Sequence, residues 1–159
     1  MIRAIRGVAA VCLATAISAC SQTGNIFSDG LFSSAISTHE VTIRHDHGGS
    51  VAEYAKKRER YLDDNRLVRF AGDCASACTM FLGLPSDQTC IMPGATFSFH
   101  RPYGGSPEQN QQVLFYMIYT YPQWVRDWIE AEGGLTTTLK VMSNTYASQF
   151  IQSCDDMEI

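Results

Sequence analysis

Three short stretches hold residues that could carry out acyl-transfer chemistry. The first is HGGSV, residues 47–51. Two successive glycines allow a tight turn that leaves backbone N–H groups pointing outward, and beside a helix N-terminus such a turn can hold a developing oxyanion. Gly48 and Gly49 are the candidate donors. The second is GDCASACTMF, residues 72–81, where Ser76 lies midway between Cys74 and Cys78 among small side chains. A serine at a strand-to-helix elbow is presented at the strand's carboxyl end, where it can act as a nucleophile. The third is SFHRPYGG, residues 98–105, in which His100 closes a strand-like run. Histidine titrates near neutral pH and is the usual base for a serine. Each piece alone has a plainer reading: a turn, a packing serine, a hydrogen-bonded histidine. Together they could supply the oxyanion donors, the nucleophile and the base that acyl transfer needs.

The elements needed to position these residues can be read from hydrophobic period. EVTIR (40–44) alternates as a strand does, and RLVRFAG (66–72) reads as a second strand. Between them, Val51, Tyr54, Ala55, Tyr61 and Leu62 recur at helical spacing over 50–64. From Ser76 the run SACTMFLGL predicts a buried helix. CIMPGATFSFH (90–100) predicts one or two strands punctuated by Pro93 and Gly94. A long helix is expected over 107–132, stopped by Gly133 and Gly134, and a last helical pair over 135–153. The alternation of strand and helix predicts an α/β domain with parallel strands and right-handed crossovers.

A chain of 159 residues suits one such domain, and its 45% hydrophobic content supports a packed core rather than disorder. The formal charge of −4, with no Lys/Arg cluster, argues against nucleic acid as a partner. KKRER (56–60) is mixed in sign and reads as a solvated helix face. Residues 1–19 have the layout of a secretory signal: Arg3 and Arg6, an apolar run over 7–17, then small residues. The run is too short for a membrane span, which needs about 20 apolar residues. Its end, Ile17-Ser18-Ala19-Cys20, resembles the lipobox of bacterial lipoproteins. That resemblance implies lipidation of Cys20 and a membrane anchor, and Ser21 points to the periplasmic side of the outer membrane. Residues 20–38, rich in Ser, Gly and Thr, read as a flexible tether, and 39–159 as the domain.

Export favours disulfides among Cys74, Cys78, Cys90 and Cys154, which allow three pairings. Zinc at the C-x3-C pair is the competing reading, but no second close pair follows. His39, His45 and His47 could ligate a metal, but histidines flanking a pocket are the simpler reading, so no metal is assigned. Phe115, Tyr116, Tyr119, Tyr121, Trp124 and Trp128 read as core and subunit interface.

Taken in order, GGSV, CASAC and SFHRPYGG resemble the Clp proteolytic subunit, a serine peptidase of the ClpP/crotonase fold, and more closely its exported bacterial relatives with paired cysteines. The resemblance spans roughly residues 40–150. It implies Ser76 as nucleophile, His100 as base, and an oxyanion hole made from the amide of Gly48 or Gly49 together with that of Ala77. It implies no cofactor, peptide or unfolded-protein substrates, and a fold compatible with a homo-oligomer. His47 stands where the family has proline, and Arg101 where it has glutamine. The family's third catalytic residue should fall in 139–150, which contains no carboxylate, leaving Asn144 as the candidate. Disulfides from Cys74 and Cys78 to Cys90 or Cys154 would pin the elbow. The resulting expectation is an exported Clp-like serine peptidase or esterase. The alternative is a degenerate Clp-like lipoprotein that binds peptides, or serves structurally, without cutting.

Overall fold

The computed structural model describes residues 39–157. The expected signal at 1–19, Cys20 and the tether at 20–38 lie outside the described residues. The elements run β1 (Glu40–Asp46), α1 (Val51–Asp63), β2 (Leu67–Ala75), a 3-10 helix (Ser76–Gly83), a 3-10 turn (Ser86–Gln88), β3 (Thr89–Ile91), β4 (Thr96–Phe99), α2 (Pro107–Thr120), α3 (Gln123–Ala131), β5 (Lys140–Met142) and α4 (Asn144–Ala147). The described residues form a mixed α/β domain.

β2 is the centre of the five-stranded sheet, and Val68, Phe70 and Cys74 on it are fully buried. β1 pairs with it in parallel along one side. Along the other side, β3 takes the first half (Val68 opposite Thr89) and β4 the second (Ala75 opposite Ser98), both in parallel. Pro93 and Gly94 divide these two short strands, and Gly94 has φ +86°.

The sheet is not wholly parallel, because β5 runs antiparallel to β4. The Arg101 amide donates to the Thr136 carbonyl (2.7 Å), which holds the incoming loop beside the end of β4. β5 therefore enters the sheet at Lys140 opposite Phe99 and runs back to Met142 opposite Phe97. The expected helical pair over 135–153 is accordingly this strand followed by the short α4. The single long helix is two. Pro122 has no N–H and disfavours the helical conformation at the residue before it, and Tyr121 is extended at φ −75°, ψ 143°. Gly133 and Gly134, both near φ +80°, end α3 by donating to Glu130 and Ile129 (both 2.8 Å).

The core gathers on the sheet. Phe70 meets Phe97 edge to face at 4.9 Å, and Phe99 lies within 5.6 Å of Tyr121 and 5.3 Å of Trp128. Phe81 from the 3-10 helix packs between Tyr54 and Tyr61 of α1. Burial of each such ring contributes roughly 2–3 kcal/mol. The helix after Ser76 is buried from Ala77 to Leu82, as expected, but winds as 3-10 rather than α. Among the described residues two disulfides form, Cys74–Cys78 and Cys90–Cys154. This corrects the expected pairing: the elbow is clamped by its own two cysteines, and the second bridge ties β3 to the chain's end. Among the described residues no helix is long and apolar enough to cross a membrane.

Candidate active site

Ser76 is the point where β2 turns into the 3-10 helix, and it sits at φ +56°, a region that costs a non-glycine residue about 1–2 kcal/mol. The surroundings enforce that conformation. The Cys74–Cys78 bridge spans it. The buried Thr79 hydroxyl donates to the Ser76 carbonyl (2.6 Å). Since that proton is used, the Thr79–Tyr121 contact (2.7 Å) has Tyr121 as donor. Burial pushes the Tyr121 hydroxyl well above its usual titration range, so it remains a neutral donor.

Gly48 is pressed against the elbow. A Cβ built on it would lie 2.6 Å from the Ala75 carbonyl oxygen, 2.7 Å from the Ala77 nitrogen and 2.8 Å from the Ser76 Cβ. Its φ of +78° independently favours glycine. Its amide is engaged: Gly48 N–H donates to Asp46 Oδ1 (2.8 Å), and the Tyr54 hydroxyl donates to the same oxygen. Of the candidate oxyanion donors, Gly49 and Ala77 are the ones this leaves. Gly49 lines the cavity, and Ala77 is in the first turn of the 3-10 helix, where amides have no intrahelical acceptor.

His100 follows β4, and its Nδ1 lies 2.9 Å from the Arg101 carbonyl oxygen. A carbonyl only accepts, so the hydrogen belongs on Nδ1 and the lone pair on Nε2, which is the tautomer a general base requires. The Arg101 peptide is itself fixed through Thr136 and through its guanidinium, which donates to Gln111 Oε1 (3.0 Å). Ser76, His100, Gly48 and Gly49 line one cavity of about 520 Å³. Its apolar wall includes Val51, Ala52, Val113 and Met117, and the exposed Tyr103 stands at 5.5 Å from the His100 ring.

Asn144 is not brought to this cavity. Its amide donates to the carbonyls of Met92 (2.9 Å) and Ala95 (3.3 Å), so it pins the turn between β3 and β4. The tautomer-setting contact expected of it falls to the Arg101 main chain instead. His45 lies 3.4 Å from Asp73, which also accepts from Thr96 (2.9 Å), and His47 lines the cavity. The Thr96 bond, then His45, holds the Asp73 carboxyl below its usual range. Among the described residues no group of three or more His, Cys, Asp or Glu is arranged to hold a metal. Phe115 and Tyr119 of the aromatic series are exposed, whereas Tyr121 and Trp128 are core.

The parts that Asp46, Tyr54, Thr79 and Tyr121 play at the site escaped the sequence reading. Asp46 had a legible signal: an aspartate two residues before a turn glycine commonly accepts from that glycine's amide. Tyr54 carried only the mark of a buried helix position, and the Thr79–Tyr121 pair is separated by more than 40 residues.

No protein-family model matches the chain, and no curated protein matches it. Among solved structures, a ClpP1 mutant from Listeria monocytogenes is similar, at 18% identity, over 69% of this chain and 68% of that chain, with a TM-score of 0.42.

Proposed function

We propose that this chain is a Clp-like serine hydrolase that cleaves peptide or ester bonds, exported and held at the membrane through Cys20. The observation that carries the reading is that a serine at φ +56° and a histidine with its Nδ1 on a carbonyl line one cavity with a double-glycine turn. In this reading, Ser76 Oγ attacks the substrate carbonyl while His100 Nε2 takes its proton. The amides of Gly49 and Ala77 receive the oxyanion. The imidazolium, with Nδ1–H on the Arg101 carbonyl, returns the proton to the leaving group, and water then releases the acyl group by the same route. A neutral carbonyl stabilises an imidazolium less than a carboxylate does, so turnover is slow. Two disulfides fit an oxidising compartment.

The contact of His100 with a neutral carbonyl also favours a second reading, a peptide-binding protein on the same scaffold. Hydrolysis of activated esters and of a mixed peptide library by the oxidised protein separates the two. Turnover that is lost in Ser76→Ala supports the hydrolase. Saturable peptide binding by wild type and Ser76→Ala alike, with no product formed, supports the binding protein.

A further inference from the structure

We infer that Asp46 and Tyr54 are the positioning residues of the oxyanion hole, holding the turn so that the Gly49 amide is presented to the cavity. The inference rests on the hydrolase reading above. Asp46 closes β1, and its Oδ1 accepts from two groups at once: the Gly48 N–H two residues ahead, at 2.8 Å, and the hydroxyl of Tyr54. Tyr54 is the buried residue of α1, wedged against Phe81, so its hydroxyl is a fixed post rather than a loose surface group. Burial, then the bond to Asp46, keeps that hydroxyl protonated far above neutral pH. The carboxylate is thus anchored to α1 and in turn grips the turn at Gly48.

The consequence follows from donor accounting. An N–H already given to a carboxylate at good length is not free for a substrate oxygen, because each amide has one hydrogen. Gly48 is also seated on the elbow, against Ala75, Ser76 and Ala77. Gripping Gly48 therefore fixes the next peptide relative to Ser76. Gly49 belongs to that peptide and lines the cavity with Ser76 and His100. The arrangement also limits an electrostatic conflict. A bare carboxylate close to a developing oxyanion would oppose it, and two donors on Oδ1 disperse that charge. The acid at this site serves the oxyanion turn, while the histidine is oriented by main chain.

The test uses the oxidised protein with Asp46→Ala, Asp46→Asn and Tyr54→Phe. Active fraction is set by titration with a fluorophosphonate, so that misfolding does not count as slow catalysis. Asp46→Ala is expected to lower kcat by about 10- to 1000-fold, the upper end being the loss of a whole oxyanion donor, with KM within about twofold. The Ki of an alkyl boronate, which forms a tetrahedral adduct, should rise in parallel. Asp46→Asn keeps an acceptor oxygen and should retain most of the rate, and Tyr54→Phe should fall between. Asp46→Ala with wild-type kcat and boronate affinity overturns the inference. Amide hydrogen exchange provides a readout independent of turnover. The Gly48 amide should exchange more slowly than that of Gly49, and Asp46→Ala should abolish the difference. If the wild type does not hydrolyse substrate, the hydrolase reading fails on its own. Slow Gly48 exchange released by Asp46→Ala then still supports the grip on the turn, and fast Gly48 exchange in the wild type overturns it.

Discussion

Gly48→Ala should damage the protein more than its backbone angle alone explains. Gly48 has φ +78°, and an alanine there incurs about 1–2 kcal/mol of backbone strain. The added methyl would also stand 2.6 Å from the Ala75 oxygen and 2.7 Å from the Ala77 nitrogen. These are backbone atoms of an elbow already clamped by a disulfide, so they cannot move aside cheaply. Overpacking of this kind adds typically 1–3 kcal/mol, giving a loss of about 2–5 kcal/mol in all. Gly94→Ala is the matched control. Its φ is +86°, but nothing lies within 4 Å of the built Cβ, so it should show the backbone cost alone. Equilibrium urea unfolding of both variants gives the difference directly. Gly48→Ala should be less stable than Gly94→Ala by at least about 1 kcal/mol, and any folded Gly48→Ala should have a displaced Ser76. Equal losses in the two variants would refute the packing of the glycine turn on the elbow.

Two further outcomes concern the frame around the site. The Cys90–Cys154 bridge closes a separation of 64 residues and Cys74–Cys78 one of 4, so in the chain-entropy account Cys90→Ala/Cys154→Ala should cost about 4 kcal/mol and Cys74→Ala/Cys78→Ala about 2 kcal/mol by urea unfolding. The shorter bridge should nevertheless matter more for reaction at Ser76, and equal reactivity in the two double variants would contradict its role as a clamp. Glu40 is held below its ordinary value of 4.5, first by its hydrogen bond from Arg69 (2.8 Å). A lowered folded-state pKa gives stability that is present above 4.5 and lost as pH falls through the folded-state value. Glu40→Gln should therefore flatten the acid limb of a stability–pH curve measured from pH 6 downward, and an unchanged limb would show that the pair contributes nothing.

The frame of the site was legible where period and punctuation were strong. β1, α1 and β2 follow from the alternation over 40–44 and 66–72 and the helical spacing between them, and the glycine pair at 133–134 marks the end of α3. Pro122 was equally visible, yet the aromatic run around it masked its effect, and the two helices were read as one. The direction of β5 was not legible, because three residues carry no period and its entry point is set by a hydrogen bond between Arg101 and Thr136. At the site, Ser76, His100 and the glycine pair stood out by residue type. What orients them did not: the Arg101 carbonyl has no side-chain signature, and Tyr54 looks like any buried helix residue. Asn144 was selected for its place in the chain, and the turn between β3 and β4 makes a stronger claim on its amide. Cysteine count predicted disulfides, but the pairing depended on how close the elbow brings Cys74 to Cys78, 5.4 Å between Cα atoms.

The most direct test of the central claim is fluorophosphonate labelling of the purified, oxidised protein, with the modified residue located by peptide mass spectrometry. An activated serine predicts a single adduct on Ser76, absent from Ser76→Ala and strongly slowed in His100→Ala. A folded protein that takes no label, or labels at another serine, or labels equally fast without His100, would contradict a Ser76–His100 hydrolase.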